Sequence, residues 1–225
     1  MHRRKFLTCG AGGIAGPFLM RSTLRAQAWS DKPVKVIVPF AAGGGTDVVA
    51  RPWADKLGQI FRQQFVVENR GGASGLIGTE AAAKSVPDGY TLLVSSNTTT
   101  VNIPLLRKVP YDPKSLEPIG RAGDVVTGFV IHASVGVKTF KELLDYCKKN
   151  PGKLAFGSSG PGTGPHLRYE MLRDKTGIDI LHVPYRGGAD ALTSGISSSS
   201  AGATPLMLSA RESVGPLSAG ILVGT

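Results

Sequence analysis

The chain has 225 residues, with 26 basic and 16 acidic side chains and a formal net charge of +10. That length carries one or two domains with a real core. The charges are scattered and show little aromatic interleaving, so the clustered basic footprint of a nucleic-acid binder is missing and nucleic acid is excluded as a partner.

The first 28 residues read as an export signal. Arg3-Arg4-Lys5-Phe6-Leu7 is a twin-arginine pattern, a short glycine-rich apolar segment follows from Gly10 to Met20, and Ala26-Gln27-Ala28 offers small residues for cleavage near Ala28. The apolar segment is too short to span a bilayer and is broken by Pro17. Five of the 26 basic residues and none of the acids lie in this segment, which leaves 21 basic against 16 acidic residues, a net charge of +5, after cleavage. Cys9 leaves with the signal, so Cys147 has no intrachain disulfide partner. These features place the mature chain in the periplasm.

The β-branched run at 34–38 predicts a strand. Gly43-Gly44-Gly45-Thr46-Asp47 follows and opens a helix over 47–61, in which Pro52 is awkward because it removes a backbone donor. Thr46 or Asp47 is expected to cap that helix. A strand, a glycine turn and an open helix start make a site suited to an anion. A short strand at 65–67, a loop at 69–75, a helix over 76–84 and a buried strand at 91–95 come next. The polar, proline-interrupted stretch 97–112 reads as a surface loop. A strand at 125–131, an amphipathic helix over 139–150 and a strand at 154–157 lead to a second glycine-rich turn, 158–165. A helix over 165–176 and a strand at 178–183 complete the readable pattern. Strands alternating with helices indicate an α/β fold with a mainly parallel sheet. The strand, glycine loop and helix unit near Asp47 recurs near His166, about 120 residues on, one domain's length. Two such units facing a cleft aim two helix starts at one small anion, at the carboxyl ends of strands.

Six pieces in order carry a family resemblance. They are Pro39-Phe40-Ala41-Ala42-Gly43-Gly44-Gly45-Thr46-Asp47, Val67-Glu68-Asn69-Arg70, Pro87-Asp88-Gly89-Tyr90-Thr91-Leu92, Val109-Pro110-Tyr111-Asp112, Gly157-Ser158-Ser159-Gly160 leading to His166-Leu167, and Val183-Pro184-Tyr185-Arg186-Gly187-Gly188. Across residues 34 to about 193 the chain resembles the periplasmic solute-binding proteins of tripartite tricarboxylate transporters, the Bug proteins. The resemblance implies a two-lobed type II periplasmic-binding-protein fold, with lobe 1 at 29–124 and lobe 2 at 125–225. It implies capture of a small carboxylate for membrane transporter subunits, without chemistry and without a cofactor. It also implies that the first glycine loop and the loop before the His-Leu helix form two jaws. The ligand-binding residues carried over are Phe40, Ala42, Gly43, Gly44, Gly45, Thr46 and Asp47 in the first jaw. The second jaw supplies Ser158, Ser159, Gly160, Gly162, Thr163 and His166, with Ser96, Asn97 and Tyr185 as further ligand-side positions. Neither glycine loop contains Arg or Lys, so a carboxylate there meets peptide amides and hydroxyls.

Bland readings stand beside the sharp ones. Asp47 faces a ligand amino group or water, or is a plain helix cap. His166 touches ligand or braces its loop. Tyr185 lines the cleft or packs at a strand end, and Arg186 pairs with a carboxylate or is simply solvated. No metal-ligand spacing of Cys or His occurs. A hydrolase-type enzyme would draw on Ser159, His166 and Asp47, but no acid–base pair has suitable spacing. After about Ser194 the resemblance fades into a serine-rich stretch without clear period. The expectation there is a truncated or frameshifted copy with an incomplete second lobe, its last ~30 residues not native, and hence a non-functional remnant as the alternative.

Overall fold

The computed structural model describes residues 32–124, 128–197, 204–209 and 218–224. The export signal expected at 1–28 and part of the stretch read as atypical lie outside the described residues.

Two sheets organise the described chain. The first has the order β2 (Phe65–Asn69), β1 (Val34–Val38), β3 (Thr91–Ser96), β9 (Ser218–Gly224), β4 (Leu116–Asp124). Strand β1 pairs in parallel with both β2 and β3, and β9 runs antiparallel between β3 and β4. The second has the order β5 (Gly128–Ile131), β8 (Thr204–Ser209), β6 (Leu154–Ser158), β7 (Leu181–Pro184). Here β6 lies parallel to β7 and β8, and β5 antiparallel to β8. The second sheet is therefore mainly parallel, as the alternation of strands and helices predicts, whereas the first departs from that expectation, because the interior strand β9 runs against both β3 and β4 and makes two of its four pairings antiparallel. The chain passes from the first sheet to the second between β4 and β5 and returns between β8 and β9.

Buried parallel strands read as near-continuous apolar runs. Val34, Val36, Ile37 and Val38 of β1 are buried, as are Leu92, Leu93 and Val94 of β3. Helix α1 (Gly45–Phe61) packs over this sheet and continues unbroken through Pro52, so the donor that Pro52 lacks does not end it. Helix α2 (Leu76–Ala83) lies against β1, β3 and β9. In the second half, Thr139 caps α4 (Phe140–Lys149) by accepting the Glu142 amide hydrogen at 3.2 Å. Leu143 and Cys147, one helical turn apart, join Leu154, Phe156, Tyr169, Ile178 and Ile180 in one core. Burial pushes the Cys147 thiol above its ordinary value and marks it as a core filler. Helix α5 (Gly164–Thr176) contributes Tyr169, whose hydroxyl donates to Ile180 O at 2.5 Å while its ring stacks on Phe156.

Several sequence expectations change: β4 (Leu116–Asp124) is a strand the sequence reading lacks, and the strand expected at 178–183 is β7, Leu181–Pro184. Residues 97–112 are not simply a loop: Thr98–Asn102 form a π turn that runs into the short helix α3 (Ile103–Leu106), with Pro104 in its first turn. The β-branched threonines have low helix propensity, and burial of Thr98 and Thr99 overrides it. After about Ser194, where the sequence shows no clear period, the described residues are regular: α6 (Gly188–Ser197) runs past that point and β8 and β9 follow.

Candidate functional site

Loops from both halves meet at the carboxyl ends of β1, β2, β3, β6 and β7. A Cβ on Gly187 would come within 3.1 Å of the Ala41 backbone nitrogen. Gly160, at φ 118°, would drive a Cβ into Ser74 Oγ. Only glycine satisfies that backbone angle and that approach together.

The first glycine loop is shaped by Asp47. Gly44, not Thr46 or Asp47, occupies the N-cap of α1, and no side chain caps it. Asp47 sits in the first turn and reaches back, accepting the Gly43 amide hydrogen at 2.8 Å. The same oxygen, Oδ2, accepts Arg51 Nε at 2.9 Å, and Oδ1 accepts Asn69 Nδ2 at 2.8 Å. Asn69 Nδ2 also donates to Phe40 O at 3.1 Å. Burial alone would raise the Asp47 carboxyl, but the hydrogen bonds from Arg51, Gly43 and Asn69 outweigh it and hold the group below its usual value. Asp47 is thus a buried bracket whose two oxygens are both engaged inside the protein. The amide hydrogens of Gly45, Thr46 and Asp47, at the start of α1, have no intrahelical acceptor, and among the described residues no other acceptor meets them. The half-buried Thr46 hydroxyl is also without a partner there. Ala42 is exposed, and Phe40 is buried with its ring against Gly75.

The second loop is shaped by hydroxyls and imidazoles. Ser158 Oγ accepts the Gly160 amide hydrogen at 3.0 Å and lies 2.7 Å from His182 Nε2. Thr163 Oγ1 donates to Gly160 O at 2.6 Å. Both side chains are 1% exposed, so their hydroxyls serve the loop itself. His166 Nδ1 accepts the Gly162 amide hydrogen at 3.3 Å, which makes this imidazole a brace. Its ring lies 4.4 Å from that of His182, centroid to centroid. Burial and then the neighbouring His166 push His182 below its ordinary value, and Glu170 acts weakly against them. Pro165 stands in the first turn of α5, leaving Gly164 and His166 as amides at that helix start that meet no acceptor among the described residues. Ser159 is half-buried at the loop's crest.

A cavity of about 600 Å³ opens beside these loops, lined by Gly72, Ala73, Ser74, Arg107, Gly160, Pro161, Pro184, Tyr185, Arg186 and Asp190. Of the residues picked from the sequence, Gly160, Tyr185 and Arg186 lie in that lining. Gly43 and Gly44 are instead placed against the 187–189 segment, Gly45 opens α1, and Ser96 and Asn97 lead into the π turn, where Ser96 Oγ accepts the Thr98 amide hydrogen at 3.4 Å. The wall that sequence reasoning missed is Gly72–Ser74, which Gly75 follows. All four residues have positive φ, including Ala73 (48°) and Ser74 (61°), where a side chain makes that conformation costly. The signal was present in the two flanking glycines, but the angles at Ala73 and Ser74 depend on tertiary contacts. Arg107 was missed because it arrives through α3.

Residues 49–214 match the family of tripartite tricarboxylate transporter family receptors, TctC. The chain belongs to that family. Protein BugT of Bordetella pertussis is 38% identical over 183 residues, which is 80% of this chain and 54% of BugT. Among solved structures, periplasmic binding protein BugD is 40% identical with a TM-score of 0.68, over 72% of this chain and 55% of that one. R. palustris Rpa4515 with adipate is 33% identical, TM-score 0.71, over 74% and 56%. MatC from Rhodopseudomonas palustris with bound malate is 27% identical, TM-score 0.66, over 72% and 56%. The chain spans about half the length of the curated relatives it matches. The family has the two-lobed periplasmic-binding fold, and its members are solute receptors rather than enzymes.

Proposed function

We propose that this protein is an exported receptor that holds a small carboxylate between its two halves and delivers it to membrane transporter subunits. The observation that carries the reading is the pair of helix starts, α1 and α5, whose peptide N–H groups have no acceptor among the described residues and stand at the carboxyl ends of strands from both sheets. Such groups stabilise an anion without a counter-charge. Charge-assisted hydrogen bonds contribute about 1.5–3 kcal/mol each, so a few of them reach the roughly 8 kcal/mol of micromolar binding. The side chains of Asp47, Ser158 and Thr163 act on loop shape, and the contacts to the acid come from the Gly45, Thr46, Gly164 and His166 amides and the Thr46 hydroxyl. Two solved relatives hold carboxylates, adipate and malate, and support the ligand class. The Arg3-Arg4 pattern supports export to the periplasm.

Calorimetric titration of the protein with a panel of small carboxylates tests the reading. Saturable binding of one acid per chain without turnover is expected; a flat response across the panel contradicts it. Export is tested by fractionation: Arg3→Lys with Arg4→Lys is expected to leave the protein in the cytoplasm.

A further inference from the structure

The second glycine loop rests on two imidazoles, and His182 reaches it from β7. Its Nε2 lies 2.7 Å from Ser158 Oγ, and that same oxygen accepts the Gly160 amide hydrogen at 3.0 Å. His182 is thus one side chain removed from the loop's turn. Its ring stacks on Phe156, with centroids 5.7 Å apart, and stands 4.4 Å from the ring of His166. His166 in turn takes the Gly162 amide hydrogen on Nδ1 at 3.3 Å. Gly160 and Gly162 have φ of 118° and 80°, so the imidazoles hold the two residues whose backbone angles shape the turn before α5.

The pair holds the loop only while it is neutral. A His166 ring that accepts on Nδ1 carries its proton on Nε2, which faces Glu170 Oε1 at 3.6 Å. An added proton would sit on Nδ1, against the Gly162 N–H, and end that bond. A proton added to His182 is poorly compensated. Around that ring stand Ser158 and Phe156 of β6 and His166, Tyr169 and Glu170 of α5. Glu170 is the acid among them, and Arg173 already shares it at 3.3 Å. Burial first, and then the second imidazole, disfavour a charged His182 in this setting.

We infer that His182 is a positioning residue for acid binding: as a neutral imidazole it fixes the 158–166 loop through Ser158 and beside His166, and proton uptake by the pair loosens that loop and weakens its hold on the acid. This rests on the carboxylate-receptor reading and adds a pH dependence to it. The helix-start amides of Gly164 and His166 follow directly on the braced turn, so their aim depends on its shape. The sign is diagnostic. A positive charge by itself would draw the anion in and tighten binding as pH falls; loss of the loop's shape weakens it. The braced form holds His182 below 6.5, and a loosened form restores the ordinary value. Affinity is therefore full above about 6.5 and falls as pH drops beneath it.

Calorimetry with the small-carboxylate panel, malate and adipate among it, at pH 7 and at pH 5 tests this on the protein and on His182→Gln. An amide hydrogen-bonds a hydroxyl without titrating. The acids' own protonation is common to both chains and cancels in the ratio. Relative to the variant, the protein is expected to bind at least ~3-fold more weakly at the lower pH, the effect of one linked proton. Amide exchange in the unliganded protein reads the loop itself. Protection of Gly160 and Gly162, corrected for the intrinsic rate, is expected to fall over the same span and to hold in His182→Gln. Ser158→Ala keeps the ring stack but cuts the link; it is expected to remove Gly160 protection at both pH values and most of the pH dependence. A profile that His182→Gln leaves unchanged, or binding that tightens as pH falls, overturns this inference and leaves the receptor reading standing. Silence of every acid contradicts the receptor reading instead, and Gly160 and Gly162 protection that ignores pH then overturns the brace as well.

Discussion

The two glycine loops occupy equivalent places, each between a parallel strand and a helix, yet they are held by different chemistry. The first is bracketed by a carboxylate: Asp47 gathers Gly43, Arg51 and Asn69. The second is bracketed by neutral groups: Ser158 and Thr163 hold Gly160, and His182 and His166 stand behind them. In both loops polar side chains turn inward to fix the shape, and under the proposed function it is the main chain that meets the ligand.

The difference between the brackets is open to test. Asp47→Ala removes three hydrogen bonds and is expected to cost about 2–4 kcal/mol of stability, read from chemical denaturation. A change within experimental error would mean that the carboxylate is dispensable to the first loop. Gly160→Ala is expected to cost about 1–3 kcal/mol, because it forces a side chain into a left-handed angle and against Ser74. Ser158→Ala is expected to cost about 1 kcal/mol, less than Asp47→Ala, because only neutral bonds are lost. Thr46→Ala, whose hydroxyl has no partner among the described residues, is expected to change stability by less than about 0.5 kcal/mol while weakening acid binding.

pH separates the loops without mutation. The folded-state value of Asp47 lies below 3.8, so its contribution is present above that pH and is lost only as strong acid takes the pH through the folded value. His182 lies below 6.5 in the folded chain. The unfolded chain therefore takes up the proton first as pH falls, and the stability from neutral His182 is full above about 6.5 and lost progressively beneath it. The groups facing His182 are Ser158, Phe156, His166, Tyr169 and Glu170. Thermal melts between pH 7 and 5 are expected to fall, and His182→Gln to flatten the fall. An unchanged slope in that variant would move the titration elsewhere.

Much of this arrangement is legible in the residues. The runs 34–38 and 91–95 announce buried strands because both faces are covered, and Gly43-Gly44-Gly45 and Gly160-Pro161-Gly162 announce turns because few other residues fit. What the residues do not announce is which polar groups are engaged. Asp47 looks the same in sequence whether it caps, binds or brackets; the choice falls to Asn69 and Arg51, brought in by β2 and by the next helical turn. The positive φ of Ala73 and Ser74 is likewise imposed from outside the segment. Arg107 is placed by a π turn that threonine propensity argues against.

The central claim is that peptide N–H groups at two helix starts grip one carboxylate from both sides. The most direct measurement is a structure of the protein with a tightly bound acid. The account predicts carboxylate oxygens within hydrogen-bond distance of backbone amides from both the 44–47 and the 160–166 segments. An acid seated away from either segment would contradict it.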